Sequence, residues 1–351
     1  MSASSIRVRL CEPSERADWN LYVQNHAQHS PYHFWHWMQA VEQAYGHKLL
    51  AVAAFNGTSI VGVLPIVEMS KLGWGHHYCS LPFCDLGGIL ADDEVGRDAI
   101  VDYMAKLQQQ SKRPPLELRE RQFAITDEAS LAGKKVSMIL PLPDSSEALF
   151  TSFKSKLRSQ IRKAQKNGLT FELGNSAEFV DAFYRVLSVN MHRLGSPVHS
   201  KAWFQAVATE YAEQCRIALV RHEDKVIGAG FILFSPDHAC IPWASTLAEY
   251  NRLAPNMLVY WALLQYVTDL GCKEFDFGRS TFGEGTYKFK QQWGAKPHYL
   301  HWYKLGETNS EGQSSPSNQN TARQLVERVW RAMPLSLVNL IGPMLRKHIS
   351  L

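Results

Sequence analysis

The chain has 351 residues, 45% of them hydrophobic and 20% charged, a composition typical of a soluble globular protein long enough for two domains. Its 37 basic and 33 acidic side chains give a net charge of +4, too small to indicate a nucleic-acid partner. The start of the chain lacks the apolar core of a signal peptide, and no long apolar run predicts a membrane span. The six cysteines show no zinc-ligand spacing, so we expect reduced thiols, no metal and a cytoplasmic protein.

A repeated segment organises the chain. Residues 26–63 align without a gap with residues 192–229, and ten of the thirty-eight positions are identical, which indicates an internal duplication. Each segment places apolar residues at helical spacing and continues with two strand-like runs joined by a tight turn. The pattern predicts an α+β fold made of two copies of one unit.

In each copy the hairpin is followed by a strand, a crossover helix and a parallel strand. Pro242 interrupts the first of these strands in the second copy, and because proline removes a ladder donor it favours an edge or a splay of the sheet there. The three elements are predicted at 78–83, 95–110 and 116–119 in the first copy and at 239–246, 256–270 and 273–277 in the second.

The strand that ends at Gly278 leads into a loop rich in glycine, hydroxyl and basic side chains. Glycine lets the backbone approach a ligand closely and leaves N–H groups facing an anion or a carbonyl oxygen. Only the second copy carries such a loop, which indicates one reaction centre, with the first copy as a support. The candidate residues here are Asp276, Arg279, Ser280, Gly283, Gly285, Thr286, Tyr287, Lys290 and Trp293.

These residues resemble the FemAB-like transferases, which are built from GNAT-type N-acyltransferase domains, and especially the group associated with PEP-CTERM/exosortase genes. The resemblance covers about residues 33–303 and implies two tandem GNAT-like domains. It also implies an enzyme that transfers an acyl or aminoacyl group to an amine during cell-envelope assembly, in peptidoglycan or exopolysaccharide. The likeness is carried by residues 276–280, 285–287, 289–290, 293–294 and 297, with further matches at 81–84, 87–88 and 194–197.

Such a reaction needs alignment, removal of a proton and stabilisation of an oxyanion. We assign the oxyanion role to the backbone of residues 283–286 together with Lys290. Tyr287 and Asp276 are assigned to positioning the amine or relaying its proton, and Arg279 to binding a phosphate or carboxylate. A non-catalytic protein of the same fold, which binds a lipid-linked glycan or a polysaccharide-synthesis partner, is the alternative.

Two further groups of residues are candidates for substrate binding. Asn190 and Arg193 lack counterparts in the first copy, whereas His192 and His199 recur as His26 and His33 and are expected to be structural.

A basic helix is predicted before the second copy. Arg158, Arg162 and Lys163 crowd into a stretch with no acidic residue. Like charges at this spacing repel, so the stretch is either a solvated face or a site for a phosphate-bearing substrate, such as a nucleotide- or lipid-linked sugar. No groove-reading element accompanies these charges, so double-stranded DNA is not expected.

The acyl donor stays undetermined between acyl-CoA and aminoacyl-tRNA. Residues 251–256, which stand where a GNAT enzyme grips the pyrophosphate of coenzyme A, contain no glycine, and Pro255 removes a donor. The helical hairpin of some tRNA-dependent relatives has no room in this chain.

We therefore predict an N-terminal GNAT-like domain at 1–145, a catalytic GNAT-like domain at 146–305, a flexible linker at 306–320 and a basic amphipathic tail at 321–351. The tail either docks on the body of the protein or lies peripherally on the inner membrane.

Overall fold

The computed structural model describes residues 6–73, 75–111, 114–121, 128–305 and 319–351. Their contacts divide them into two units. Within these residues, every helix is too short or too polar to cross a bilayer. Of the described residues, unit 1 contains 6–73, 75–111, 114–121, 299–305 and 348–351, and unit 2 contains 128–298 and 319–347.

Unit 1 is built on a sheet with the strand order β1-β2-β3-β4-β6. Neighbours are antiparallel except β4 and β6, which are parallel and joined by the crossover helix α3. The bounds are β1 Arg7–Leu10, α1 Arg16–Asn25, α2 Trp35–Tyr45, β2 Lys48–Asn56, β3 Ser59–Ser70, β4 His76–Cys79, β5 Leu90–Ala91, α3 Glu94–Ser111 and β6 Leu116–Arg121.

The core of unit 1 follows from the apolar spacing of these elements. Helix α2 buries Trp37, Met38 and Val41 completely, and it ends at Gly46, whose φ of +68° is the left-handed conformation that glycine adopts readily. A second cluster packs α3 against the sheet through Leu50, Val52, Leu64, Ile66, Ile100, Met104 and Leu118.

Unit 2 repeats this arrangement. Its strand order is β8-β9-β10-β11-β12-β7, again antiparallel except for one parallel pair, β11 and β12, joined by helix α8. The bounds are β7 Lys135–Pro141, α4 Ser146–Ser152, α5 Ser155–Lys166, β8 Leu169–Gly174, α6 Ala177–Leu194, α7 Lys201–Tyr211, β9 Cys215–His222, β10 Lys225–Phe234, β11 His238–Thr246, α8 Pro255–Asp269, β12 Glu274–Thr281 and α9 Gly285–Gln291. The strand that follows, β13 (Lys296–Leu305), lies mostly in unit 1.

The two copies predicted from the sequence are confirmed in the fold. Helices α2 and α7 begin and end 166 residues apart, and strands β3 and β10 begin at the same separation. The order of strands and the single parallel pair also agree between the units. The fold is therefore α+β, with two tandem units of one design.

The last strand of each sheet comes from the other copy's part of the sequence. Strand β7 follows β6 in the chain but pairs with β12 in unit 2, whereas residues 300–305 of β13 pair with β6 in unit 1. The two contact-defined units therefore differ from the predicted boundaries 1–145 and 146–305, because β7 lies in unit 2 and residues 299–305 of β13 lie in unit 1. Periodicity identifies a strand but not its partner, so the sequence pattern could not show this exchange.

The C-terminal segment forms two further helices, α10 (Gln319–Ala332) and α11 (Leu335–Arg346), which pack on α6. Trp330 and Val338 are buried. Docking on the body of the protein, one of the two alternatives given for the tail, is thus seen in these contacts with α6. The predicted linker lies outside the described residues except for its last two, which begin α10.

The final residues of the chain belong to unit 1. The carbonyl oxygen of Ser350 accepts a hydrogen bond from the Phe83 N–H at 2.6 Å and another from the Arg119 side chain at 3.2 Å.

The turn that precedes α2 is built around a buried histidine. His33 Nδ1 accepts the N–H of Ser30 at 3.1 Å, and Ser30 Oγ accepts the N–H of Tyr32 at 3.4 Å. Burial, together with the neighbouring His29, lowers the pKa of His33 to about 3. The neutral imidazole is therefore part of the folded state, which agrees with a structural role for this histidine.

We expect unit 1 to lose stability in mild acid. The pKa of His33 is lower in the folded chain than its ordinary value of 6.5, so protonation favours the unfolded chain. The contribution is complete above pH 6.5 and falls as the pH decreases towards 3, a loss on the order of 3 kcal/mol at pH 4. Urea unfolding at pH 7 and pH 4 measures this, and His33→Gln should show a smaller difference than the natural protein. Equal differences in the two proteins would contradict the assignment.

Candidate active site

Strands β11 and β12 run side by side for a short distance and then part. Their parallel register extends from His238 opposite Glu274 to Cys240 opposite Asp276. Beyond that point β11 continues along β10 and β12 continues along β7. The sheet of unit 2 is therefore open at the carboxyl ends of its two parallel strands.

A bulge in β11 contributes to this divergence. The register shifts between Phe231 and Leu233 of β10, so that Ile241 and Pro242 stand opposite the single residue Ile232. Pro242 has no N–H to donate to a neighbouring strand, which makes this the natural place for pairing to stop. Of the edge or splay predicted at Pro242, the structure shows the splay, because the pairing of β11 with β12 ends at Cys240.

A second bulge lies at the matching level of β12. Its register against β7 shifts between Asp276 and Arg279. Gly278, inside the bulge, has a φ of +74°, a conformation that residues with a Cβ rarely adopt. The two bulges turn the strands away from each other, and glycine is the residue type that allows the turn in β12.

The carboxylate of Asp276 stabilises the β12 bulge. Asp276 is buried, and its Oδ1 accepts hydrogen bonds from Ser137 Oγ at 2.5 Å and from the Gly278 N–H at 2.7 Å. Hydrogen bonds to a carboxylate are stronger than those between neutral groups. Asp276 therefore connects β12 to β7 and holds the backbone of Gly278.

The ammonium group of Lys290 binds the same bulge. Lys290 lies on α9 and is 8% exposed, and its Nζ donates to the carbonyl oxygens of Gly278 and Arg279, each at 2.8 Å. The Lys290 ammonium group is therefore engaged by two backbone carbonyl oxygens. These hydrogen bonds favour a structural role for Lys290 over the predicted role of direct oxyanion donor.

Ser280 follows the bulge and is 4% exposed. Its Oγ has no hydrogen-bond partner within the described protein groups. A buried hydroxyl left in this way costs about 1–3 kcal/mol, so the position is one where a ligand could satisfy the oxygen. Arg279, beside it, is half-buried, and Thr281 Oγ1 accepts a hydrogen bond from Lys135 at 2.7 Å.

The glycine-rich loop lies at the exposed start of α9. Gly283, Gly285 and Thr286 are exposed, and a Cβ built on either glycine would meet nothing within 4 Å. The backbone at these three residues is thus exposed, and its contact with a ligand stays a prediction. The N-cap residue of α9 is Glu284, whose charge was not part of that prediction.

Tyr287 and Trp293 are core residues. Tyr287 is 4% exposed and packs on Phe282 at 4.7 Å between ring centroids. Trp293 is 1% exposed and meets Phe153 edge to face at 5.5 Å. The position of Trp293 gives no support to the predicted contact with substrate.

The predicted basic helix is observed as α5, which is amphipathic. It buries Leu157 and Ile161. Arg158 donates to the Thr151 carbonyl oxygen at 3.4 Å, and the Arg162 guanidinium lies 5.3 Å from the centroid of the Phe150 ring. Lys163 is exposed.

Asn190 and Arg193 lie where α6 meets β11. Asn190 Nδ2 donates to Ser245 Oγ at 3.2 Å, and Asn190 Oδ1 accepts from Arg193 Nη2 at 2.9 Å. Ser245 stands on the part of β11 beyond the bulge. Sequence reasoning missed Ser245 because nothing in the pattern relates it to a residue on a distant helix.

The corresponding place in unit 1 is occupied. Cys79 of β4 stands opposite Glu117 of β6, as Cys240 stands opposite Asp276 in unit 2. Two residues further along, unit 2 has glycine, whereas unit 1 has Arg119.

Arg119 is 1% exposed, and it donates to the carbonyl oxygens of Leu81 at 3.1 Å and Cys84 at 2.7 Å. It also contacts Glu117 and Ser350. The Arg119 side chain thus connects the segment after β4 to β6. The equivalent position in unit 2 is Gly278, where the strands diverge.

Three residues of types that commonly bind metal ions lie close together in unit 1. Their spacing in the sequence did not predict this cluster. His77, Cys79 and Glu117 each offer a ligand atom within 4.8 Å of the others. Glu117, however, is engaged by Arg119 at 2.7 Å, and burial raises the pKa of the Cys79 thiol to about 12. Glu117 therefore takes part in an ion pair with Arg119, and the thiol of Cys79 stays neutral.

The start of α8 is the position where coenzyme A phosphates meet a GNAT domain, as the resemblance implied. Ala254 adopts a φ of +62°, Pro255 begins the helix, and the Met257 N–H donates to the Ala254 carbonyl oxygen at 3.1 Å. Two of the first three helical positions thus offer no N–H to a phosphate, which agrees with the departure seen in the sequence.

Comparison with known proteins identifies the fold. Residues 151–291 match the model of an acetyltransferase (GNAT) domain. Among curated proteins, none matches the chain. The structure is similar to that of FemX, with a TM-score of 0.69 and 14% identity over 92% of this chain and 100% of that chain.

Two other solved structures are similar. One is L-PGS from Bacillus licheniformis, with a TM-score of 0.54 and 11% identity over 93% of this chain and 99% of that chain. The other is a tandem GNAT protein from the clavulanic acid biosynthesis pathway, with a TM-score of 0.51 and 11% identity over 87% and 100%. The fold of the chain is thus similar to that of FemX and of a tandem GNAT protein, and residues 151–291, most of the second copy, match a GNAT acetyltransferase domain.

Replacing Lys290 with methionine should destabilise unit 2. The change leaves the carbonyl oxygens of Gly278 and Arg279 without their donor, at a cost of about 2 kcal/mol. Lys288→Met is the matched control, because Lys288 is exposed on the same helix, and it should change stability by less than about 0.5 kcal/mol. Urea unfolding measures both, and equal stabilities of the two variants would show that Lys290 does not hold the bulge.

Proposed function

We propose that the protein transfers an acyl or aminoacyl group to an amine, and that the reaction takes place at the opening between β11 and β12. The matching bulges at Pro242 and Gly278 carry this proposal, because they create a break in the sheet at which backbone groups can contact a ligand. The GNAT match over residues 151–291 includes both bulges and supports the class of reaction.

In the proposed reaction the amine nitrogen attacks the carbonyl carbon of the donor and forms the new C–N bond. The C–S bond to coenzyme A or the C–O bond to tRNA breaks, and the leaving sulfur or oxygen takes up one proton while the amine loses one. Within residues 283–286, the backbone N–H groups of Gly283, Gly285 and Thr286 are proposed to stabilise the oxyanion, since these residues are exposed, whereas the N–H of Glu284 donates to the Thr281 carbonyl oxygen.

The side chains then divide into two roles. Ser280 and Arg279 are proposed to contact the substrate, because the Ser280 hydroxyl is buried without a protein partner and the arginine is next to it. Asp276, Lys290 and Tyr287 are proposed to position the site, because each is buried and held by protein contacts. This replaces the direct catalytic roles that the sequence alone suggested for these three residues.

Unit 1 is proposed to be a support. Arg119 fills the place that corresponds to Gly278, and it is fixed by hydrogen bonds to backbone carbonyl groups. A duplicated fold with one filled and one open position fits one reaction centre per chain.

The acceptor is proposed to be an amine on an intermediate of cell-envelope or exopolysaccharide assembly that carries a phosphate. The supporting observations are the resemblance of residues 276–297 and the basic face of α5. Guanidinium groups match phosphate oxygens two at a time, which suits Arg158 and Arg162 to this task.

Ser280→Ala should lower activity without loss of stability. If the hydroxyl contacts substrate, turnover falls about tenfold or more, whereas removal of an unsatisfied buried hydroxyl leaves the fold as stable or more so. Ser235→Ala is the control: its hydroxyl donates to the His238 carbonyl oxygen, so it should cost stability and keep activity.

The assay offers acetyl-CoA or radiolabelled alanyl-tRNA as donor, with UDP-glucosamine or a lysine peptide as acceptor. Mass spectrometry detects the product. Binding without product from any donor in the natural protein would favour the non-catalytic alternative and overturn the proposal.

The double variant Arg158→Ala/Arg162→Ala should weaken binding of UDP-glucosamine about tenfold, since two charge-assisted contacts to phosphate are lost. Calorimetric titration measures the affinity, and Arg185→Ala on α6 serves as a control for the loss of basic charge. Equal affinities in the natural protein and the double variant would show that the basic residues of α5 form a solvated face and do not bind the phosphate.

A further inference from the structure

The outer side of helices α10 and α11 is apolar and exposed. On α11, Leu337, Leu340 and Met344 are 39%, 67% and 62% exposed and follow one another at a spacing of three and four residues, which places them on one face. On α10, Val326 and Val329 are 62% and 54% exposed, again three residues apart. These two helices therefore present a row of large apolar side chains to solvent.

Each helix also has buried residues that pack against the rest of unit 2. Trp330 of α10 and Val338 of α11 are buried where the helices contact α6, and a Cβ on Gly342 would come within 3.3 Å of the Val198 backbone. The two helices are therefore docked on unit 2, and the large apolar side chains of the row remain exposed in this docked arrangement.

The same segment is strongly basic. Residues 319–351 contain Arg323, Arg328, Arg331, Arg346 and Lys347 against the single acid Glu327. This excess equals the net charge of +4 of the entire chain, so the remaining residues are balanced. The charge is therefore concentrated on the part of the protein that also exposes the apolar row.

We infer that α10 and α11 bind the surface of an anionic lipid bilayer. A helix with apolar residues on one side and basic residues beside them inserts its apolar face at the lipid boundary, and the basic groups are attracted to anionic headgroups. A second copy of the chain is the less suitable occupant, because it would bring two segments of like charge together. This inference does not depend on the proposed reaction.

The test is flotation of the full chain with vesicles of phosphatidylcholine alone or mixed with phosphatidylglycerol. The natural protein should float with the mixed vesicles, less so at high salt, and stay behind with phosphatidylcholine alone. Leu340→Glu/Met344→Glu should reduce binding about tenfold or more, since it places two acids on the apolar row. Substitution is preferred to truncation because removal of the helices would uncover α6.

Leu72→Glu is the matched control, since Leu72 is 71% exposed in unit 1 and should not affect flotation. Thermal melting should be the same for all three proteins, because every changed side chain is exposed. Absence of binding by the natural protein, or equal binding by the double variant, would overturn the inference. So would a dimer in analytical ultracentrifugation that the double variant turns into a monomer without any vesicle binding in the natural protein.

Discussion

The candidate site depends on how one bulge in β12 is held. The carboxylate of Asp276 binds the N–H of Gly278, while the ammonium of Lys290 binds the carbonyl oxygens of Gly278 and Arg279. Backbone polar groups that leave a sheet need other partners, and here two charged side chains supply them. The divergence of β11 and β12 is thereby a fixed feature of unit 2, and the serine that follows lies buried beside it.

The duplication shows what distinguishes an open position from a filled one. Both units pair a cysteine with a carboxylate on their parallel strands. Unit 2 continues with Gly278, whose conformation turns the strand away, and unit 1 continues with Arg119, whose side chain bonds to the carbonyl oxygens of Leu81 and Cys84. A single residue type at one level of the sheet thus separates the two copies in structure and, as we propose, in function.

The sequence predicts those features of the fold that depend on residues close together in the chain. Apolar spacing and the repeat predicted α2 and α7, and Pro242 marked the splay, because each of these depends on neighbouring residues. The hydrogen bonds of Lys290 and the filling of unit 1 by Arg119 could not be predicted, since they depend on groups far apart in the chain. The sequence pattern around Lys290 and Trp293 is compatible both with contacts to a ligand and with burial in the core. Only the structure shows that both side chains are buried.

The positions of β7 and β13 in the chain make the two units unequal as independent fragments. Ser137, which donates to the Asp276 carboxylate, lies well before the repeated segment of the second copy, and β7 is continuous with the other strands of unit 2. A fragment that begins before β7 therefore keeps the strand that holds the β12 bulge. A fragment that ends before unit 2 lacks residues 300–305, so the sheet of unit 1 would lose the strand that pairs with β6.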